Sequence, residues 1–259
     1  MIIHFYFTNG MSEWAEVFLK SFKYFNGEEI PIIFDTKDLT ISEIKKIESL
    51  YKNLEIFNSK LDINKLSYKL GIKKEVLLNY KEETEKNKVN PENKVWKLMI
   101  AGDDRIKTVR KRLNEMNRED ILLHFDIDII FISKINNLYN SVKNNDFSTI
   151  FRIDQFLDNN GNLRKEKEVK ATAIGVQGYT KNTNGLKFID KWINYIDDIH
   201  PIHRKKGYAQ AACYYAYKDL KNEMKIGNLK EVSNCTIDIA TGMKNKAVKK
   251  FKNEINNWK

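Results

Sequence analysis

The sequence predicts an α/β fold, with a mostly parallel central sheet flanked by helices, for two reasons. Short apolar segments alternate with amphipathic segments over the first quarter of the chain. Such β-α-β order produces parallel strands joined by right-handed crossovers. A longer apolar run, Ile121 to Ile132, is typical of a strand buried on both faces of a parallel sheet. With 42% hydrophobic residues among 259, the chain can bury a substantial core.

The amino-terminal part contains the clearest local signals. Trp14, Val17, Phe18 and Phe22 recur at helical spacing. Thr40 and Glu43 form a capping box, which predicts a helix start. The predicted elements are a strand at 2–7, a helix from 12 to the stop at Asn26-Gly27, a strand at 30–34, a helix after 40 and a strand at 54–57. This order is typical of nucleotide-binding proteins, but the chain lacks both GxGxxG and the Walker phosphate loop. Dinucleotide enzymes and loop-type ATPases are therefore disfavoured.

The rest of the chain continues the same alternation. Peripheral helices are predicted at 60–92, followed by a long helix from Pro91 to about Asn117 and the strand at 121–132. The later predictions are helices at 135–142, 186–196 and 208–224, strands at 147–153, 171–179 and 229–232, loops at 158–168 and 200–207, and a basic amphipathic helix from 244. We expect both loops to be mobile and to close over a bound ligand. One domain at 1–240 with a basic tail at 241–259 accounts for these elements.

Charge and cysteine content limit the possible partners and compartments. The net charge of +10 favours an anionic partner such as a nucleotide, a nucleic acid or a membrane surface. Cys213 and Cys235 lack metal-ligand spacing, so buried thiols are expected. The amino terminus has no Lys or Arg before its apolar residues, and no apolar run is long enough to span a bilayer. We therefore expect a soluble cytoplasmic protein.

Asp126 and Asp128 interrupt the apolar run and are the main candidates for chemistry. In a continuous strand their side chains would project from the same face. Two neighbouring carboxylates repel each other and lose hydration on burial, so a cation between them is expected. Mg²⁺ and Mn²⁺ are commonly held by one or two carboxylates together with substrate phosphates. Gly175 and Gly178, inside a predicted strand, suggest close approach of a ligand to the backbone.

These motifs resemble a known family. A strand-borne Asp-x-Asp in a Rossmann-like domain of this size is similar to the GT-A glycosyltransferases. More closely, Leu122 to Phe131 resembles the "vlhlDaDvvf" motif of bacterial nucleotide-diphospho-sugar transferases, and Ala173 to Val176 with Trp192 resembles their "naGv…W" block. Ala209-Gln210 stands where the family often has Asp-Gln, and no His follows His203. The third metal ligand therefore stays open.

The resemblance implies a metal-dependent glycosyltransferase with a nucleotide-diphosphate sugar donor, a UDP-sugar by expectation. It implies Mn²⁺ or Mg²⁺ held by Asp126 and Asp128, with Asp126 also contacting the ribose. The other implied contacts are Thr8, Asn9 and Asp35 to base and ribose, Arg105 or Arg110 to the diphosphate, Gly175 to the donor, and Asp154 and Gln210 to the sugar.

Two other classes stay open at this point. A haloacid-dehalogenase-like phosphatase also uses a strand-borne Asp-x-Asp, with the first Asp as nucleophile. That class has Thr or Val where this chain has Ile130, and its motif lies near the amino terminus. A non-catalytic nucleic-acid-binding protein would explain the charge, but no binding motif is present. Because aromatic residues are not interleaved with lysines outside the tail, no nucleic acid is expected. Peripheral contact of the basic tail with the inner membrane face is expected instead.

Overall fold

The computed structural model describes residues 1–8, 11–70, 73–78, 104–151, 172–198, 208–229, 236–238 and 253. Several predictions lie outside these residues. They are the site residues Asn9 and Asp154, the helical segments predicted over 79–103, the loops 158–168 and 200–207, most of the strand predicted at 229–232, Cys235, and the tail from 244 apart from Asn253. The predicted boundary at residue 240 also lies there and stays a prediction. Among the described helices, none is long and apolar enough to cross a membrane.

The described chain contains both helices and strands. The helices include α1 Ser12–Asn26, α2 Ile41–Glu48, α3 Ile63–Leu70, α4 Arg105–Glu115, α5 Asn136–Lys143, α6 Thr183–Asp198 and α7 Tyr208–Leu220. The strands are β1 Ile2–Thr8, β2 Ile32–Lys37, β3 Leu54–Ser59, β4 Ile121–Phe125, β5 Ile129–Phe131, β6 Phe147–Phe151, β7 Thr172–Thr180, β8 Ile226–Asn228 and β9 Thr236–Asp238.

Seven of these strands form a mixed sheet, and the predicted α/β class is confirmed. Their order is β3-β2-β1-β4-β7-β6-β8, and β5 pairs separately with β9. The pairs β1/β2, β2/β3 and β6/β8 are parallel, whereas β6/β7 is antiparallel. The chain divides into two compact units. Unit 1 comprises Met1–Trp96, Phe125–Asn137 and Glu231–Lys259, and unit 2 comprises Lys97–His124 and Leu138–Lys230.

Unit 1 is built on aromatic packing between α1 and the strands. The rings of Phe5 on β1 and Phe18 on α1 lie 4.0 Å apart. Helix α1 ends at Asn26 and is followed by Gly27, whose positive φ of 75° suits a residue without a Cβ. Helix α2 begins with the predicted capping box: the Thr40 side chain accepts from the Glu43 amide, and the Glu43 carboxylate accepts from the Thr40 amide. Both predicted helices are confirmed.

Unit 2 has its own apolar core. Its buried residues include Ile106, Val109 and Leu113 of α4, Phe147 of β6, Phe188, Ile189 and Trp192 of α6, and Cys213 of α7. The rings of Phe147 and Phe188 stack at 3.8 Å, and the Trp192 indole donates to the Ala209 carbonyl at 2.9 Å. Cys213 is a buried thiol, as predicted.

Some predicted boundaries are wrong. Helix α7 ends at Leu220 rather than at Met224. Strand β8 at Ile226–Asn228 pairs with the start of β6, and the strand predicted at 229–232 stays a prediction because only its first residue is described. Strand β2 begins at Ile32, two residues after the predicted start.

Candidate active site

The Asp126-x-Asp128 motif lies in a turn. Strand β4 ends at Phe125 and β5 begins at Ile129, so the predicted continuous strand from 121 to 132 is wrong. Asp126 and Asp128 are half-buried, whereas Ile127 between them is buried. Placing the carboxylates in a turn avoids the cost of enclosing two charges within a sheet. Sequence reasoning missed this break because Ile127 continues the apolar pattern.

Phenylalanine rings connect this turn to the neighbouring strands of unit 1. The ring of Phe5 on β1 lies 5.3 Å from Phe34 on β2 and 5.8 Å from Phe125 at the end of β4. The chain continues directly from Phe34 to Asp35 and from Phe125 to Asp126. The backbone positions of these two predicted site carboxylates are therefore fixed by a shared apolar cluster.

The Asp35 carboxylate contacts a buried histidine, His4. The His4 Nε2 and Asp35 Oδ2 atoms are 3.0 Å apart, and both residues are buried. A buried carboxylate requires such a partner, because desolvation of its charge is costly. Thr8, another predicted site residue, ends β1 and lies opposite Lys37 in the β1/β2 register. The structure thus places Thr8 and Asp35 on adjacent strands.

Asn58 stabilises the loop after β2, and the sequence analysis did not identify it. Its Oδ1 accepts from the Thr36 hydroxyl at 3.0 Å and from the Leu39 amide at 3.1 Å, and its Nδ2 donates to the Leu39 carbonyl at 3.0 Å. Within this loop Asp38 has a positive φ of 59°, a conformation that needs surrounding support. No local pattern marks Asn58, since its partners come from another strand and loop.

Arg110 and Arg105, both in unit 2, differ in their surroundings. The Arg110 guanidinium forms a two-pronged ion pair with Asp190 of α6, at 2.6 and 3.0 Å. This contact fastens α4 to α6 and gives Arg110 a structural role. Arg105 is buried at the start of α4. Burial raises the pKa of the Tyr179 hydroxyl well above its usual value, whereas Arg105 acts in the opposite direction, which places its charge near Tyr179.

Gly175 lies at an irregularity in strand β7. Thr149 of β6 pairs with Gln177, but the next residue of β6, Ile150, pairs with Ala173, so residues 174–176 have no counterpart in the register. The Thr149 hydroxyl donates to the Val176 carbonyl at 2.9 Å and satisfies an acceptor there. Such bulges are frequent next to active sites. Gly175 thus lies in the unpaired stretch of β7, and its role at the donor stays a prediction.

Gln210, one of the two residues predicted to face the sugar, is in the described part of unit 2. It lies in the first turn of α7 and is half-buried. A separate open groove of about 830 Å³ lies on α6 and α7, lined by residues such as Lys187, Lys191 and Asp219. Among the predicted site residues that the structure describes, none lines this groove.

The carboxylate pair is chemically suited to a hard divalent cation. Among the residues that the structure describes, no group of three His, Cys, Asp or Glu side chains could hold a metal ion. Asp126 and Asp128 therefore offer a pair of oxygen ligands rather than a complete cage. That is the donor set with which Mg²⁺ and Mn²⁺ bind when substrate phosphates supply further ligands. It does not suit zinc, which prefers closed sets containing His or Cys.

Comparison with known proteins gives a result only at the level of structure. No family model matches the chain, and no curated protein matches it. The galactosyltransferase LgtC, solved with donor and acceptor sugar analogues, is similar with a TM-score of 0.56 and 10% identity over 89% of this chain and 74% of that one. Core-mannan synthase A of Aspergillus fumigatus, in its Mn/GDP form, is similar with a TM-score of 0.55 and 11% identity over 92% of this chain and 74% of that one. GlyE of Streptococcus pneumoniae TIGR4 is similar with a TM-score of 0.52 and 12% identity. That match covers 89% of this chain and 46% of GlyE.

These similarities define the class of fold. The chain has the GT-A glycosyltransferase fold, as its Asp-x-Asp motif and strand order predicted. At 10–12% identity the likeness is one of architecture. The glycosyltransferase neighbours give no support to the phosphatase or to the nucleic-acid-binding alternative.

Proposed function

We propose that the protein is a metal-dependent glycosyltransferase that moves a sugar from a nucleotide-diphosphate donor to an acceptor. The observation that carries the proposal is the Asp126-x-Asp128 turn at the carboxyl end of a strand in a GT-A fold. In open α/β sheets, ligands bind outside the carboxyl ends of the strands. A half-buried carboxylate pair at that end is suited to a cation shared with the donor's phosphates.

Asp126 and Asp128 would hold Mn²⁺ or Mg²⁺, with Asp128 as the principal ligand and Asp126 shared with the ribose. When bound, the ion neutralises charge on the leaving nucleotide diphosphate. Core-mannan synthase A, a structural neighbour, was solved in a Mn/GDP form. This neighbour supports a metal and a nucleotide diphosphate in the same fold. Independently of it, we propose uracil as the donor base.

The remaining roles go to the residues that the resemblance implies. In unit 1, Thr8, Asn9 and Asp35 would bind the base and ribose, and the His4 contact keeps the Asp35 carboxylate in a fixed orientation. In unit 2, Arg105 would add positive charge at the diphosphate, as Arg110 is already paired with Asp190.

Gln210 and Asp154, the candidate catalytic residues, would face the transferred sugar, and Gly175 would contact the donor. An active-site Gln→Glu variant of LgtC has been solved, so that enzyme uses a glutamine in its active site. This supports Gln210 as the corresponding group in our proposal. Its amide can donate and accept hydrogen bonds, which suits a sugar hydroxyl.

We propose a small or lipid-linked acceptor, reached by peripheral contact of the basic tail with an anionic membrane. Residues 244–259 contain six lysines and one glutamate. Each basic residue near an anionic surface adds roughly 1 kcal/mol of attraction. Truncation after Thr241 should abolish binding to phosphatidylserine vesicles and spare donor hydrolysis. Tight binding to single- or double-stranded DNA at physiological salt would contradict this choice of acceptor.

The central experiment replaces Asp128 with asparagine. We expect the affinity for UDP in the presence of Mn²⁺ to fall at least about ten-fold, because one of two carboxylate ligands is lost. The melting temperature without ligand should stay close to that of the wild type, since the substitution relieves repulsion between carboxylates. Titration calorimetry with UDP and GDP, with and without Mn²⁺, measures the first quantity and a thermal melt the second.

Asp120→Asn is the matched control. Asp120 precedes β4 at its opposite end, where its carboxylate accepts from the Asn117 amide at 3.2 Å. The control makes the same change of charge away from the proposed metal site, so Mn²⁺-dependent binding should be retained. Unchanged UDP binding by the Asp128 variant, or full transferase activity in excess chelator, would contradict the proposed function.

A further inference from the structure

Ser21 is an exception on the buried face of α1. The residues that this helix buries are Trp14, Ala15, Val17, Phe18, Leu19, Ser21 and Phe22. Ser21 is the polar member of this set and is 0% exposed. Burying a hydroxyl without hydrogen bonds is costly, so a serine at such a position requires partners.

Ser21 has a partner on each side of its hydroxyl. The Oγ atom donates to the Phe18 carbonyl at 2.9 Å and accepts from the Phe131 amide at 3.1 Å. A hydroxyl has one proton and two lone pairs. Because the proton is directed at its own helix, a lone pair is available for the Phe131 amide. Ser21 thus serves β5 as the carbonyl of a neighbouring strand would.

Strand β5 follows the Asp126-x-Asp128 turn without a spacer. It begins at Ile129, directly after Asp128, and has three residues. Its strand partner in the described chain is β9, and both belong to unit 1. The bond from Ser21 to Phe131 is therefore an attachment of this short strand to α1, three residues after Asp128.

Aromatic rings on either side of the turn pack against each other and against α1. The rings of Phe125 and Phe131, which flank the turn, lie 5.3 Å apart. The Phe131 ring also lies 5.2 Å from Phe18 and 5.0 Å from Phe22 of α1. Apolar contacts have little directional preference, whereas a hydrogen bond to one amide depends on both distance and angle. The rings thus hold β5 against α1, and Ser21 sets its position along the helix.

We propose that Ser21 is a positioning residue for the Asp126-x-Asp128 turn. Ser21 fixes Phe131 against α1 and therefore fixes the position of β5, which begins directly after Asp128. The position of β5 in turn sets the relative placement of the two carboxylates. Groups outside the direct ligand set commonly control metal affinity by orienting the ligands. The inference rests on the proposed function, because it assigns Ser21 a part in binding the divalent cation.

The test uses Ser21→Ala in the full-length protein. Electron paramagnetic resonance of free Mn²⁺, titrated with saturating UDP present, gives the Mn²⁺ dissociation constant. We expect about ten-fold weaker Mn²⁺ binding, at the lower end of the range for groups that orient ligands. Amide hydrogen exchange at Phe131 should be faster in the metal-free variant. The fold should persist, because Asn26 of α1 also accepts from the Ile135 amide at 3.0 Å.

Tyr51→Phe is the matched control. The Tyr51 hydroxyl donates to the Ile30 carbonyl at 2.9 Å, so this variant likewise removes one side-chain hydrogen bond to the backbone within unit 1. Tyr51 and Ile30 precede β3 and β2, at the amino ends of these strands. Its Mn²⁺ affinity should equal that of the wild type even where its melting temperature falls.

Mn²⁺ affinity within two-fold of wild type in Ser21→Ala, with faster exchange at Phe131, would overturn the inference. Equal weakening in Tyr51→Phe would overturn it too, because general destabilisation would then explain the effect. If Ser21→Ala does not fold, Ser21→Cys keeps a similar side chain whose sulfur is a weak acceptor. It should weaken Mn²⁺ binding about three-fold, and wild-type affinity there would refute the role. Absence of UDP-dependent Mn²⁺ binding in the wild-type protein would instead refute the proposed function.

Discussion

Replacing Arg110 with methionine separates a structural role of this arginine from a role at the diphosphate. The substitution removes the two-pronged ion pair with Asp190 but keeps much of the side-chain length. The Arg110 side chain is 24% exposed and the Asp190 side chain 49%. Paired geometry strengthens an ion pair, whereas exposure reduces it toward the value of surface pairs. We expect a loss of about 1 kcal/mol in the free energy of unfolding, or roughly five-fold in the unfolding equilibrium.

A double-mutant cycle measures this quantity directly. Urea unfolding of wild type, Arg110→Met, Asp190→Asn and the double variant should give a coupling energy of about 1 kcal/mol. The same Arg110 variant should bind UDP and Mn²⁺ as the wild type does. Arg105→Lys should weaken UDP binding, because lysine lacks the planar fork of arginine. An Arg110→Met protein of unchanged stability that loses UDP affinity ten-fold would refute the reasoning.

Two further predictions concern stability in unit 2. In Gly185→Ala the new Cβ would lie 2.2 Å from the Thr180 carbonyl oxygen, which no backbone can accept without shifting. We expect a loss of about 3 kcal/mol in urea unfolding, and a loss under 1 kcal/mol would contradict the contact. The Asp219 carboxyl has its pKa lowered below 3.8 by the hydrogen bond from Tyr195 and then by Lys191. Its contribution to stability is therefore present above pH 3.8 and is lost as the pH falls below that value. Tyr195→Phe should make the free energy of unfolding less dependent on pH in this acid range, and an identical pH dependence would argue against the assignment.

Local patterns predicted much of the architecture. The apolar spacing of α1 and the Thr40/Glu43 capping box are properties of adjacent residues, and both helices are present as predicted. The strand-helix order led to the α/β class because crossover connections leave few alternatives. The Asp-x-Asp motif indicated the GT-A fold through resemblance, and the structural neighbours agree.

Features that depend on distant partners could not be predicted. Ser21 and Phe131 are 110 residues apart, and Arg110 and Asp190 are 80 apart, so no periodicity connects them. The turn at Asp126 was missed for a related reason. Its sequence fits a strand, but the cost of enclosing two carboxylates arises only from the surrounding tertiary structure. Pattern reading recognises local preferences and cannot weigh them against such costs.

The bulge in β7 has a consequence for how faithfully the chain folds. Antiparallel strands can slip past one another, and a slip of one residue turns every side chain to the opposite face. Residues 174–176 of β7 have no partners on β6, and the Thr149 hydroxyl donates to the Val176 carbonyl within this stretch. Both features fit a single alignment of β6 and β7. Any shifted alignment would lose that bond and leave a buried carbonyl unsatisfied. The irregularity around Gly175 thus favours a single register between β6 and β7.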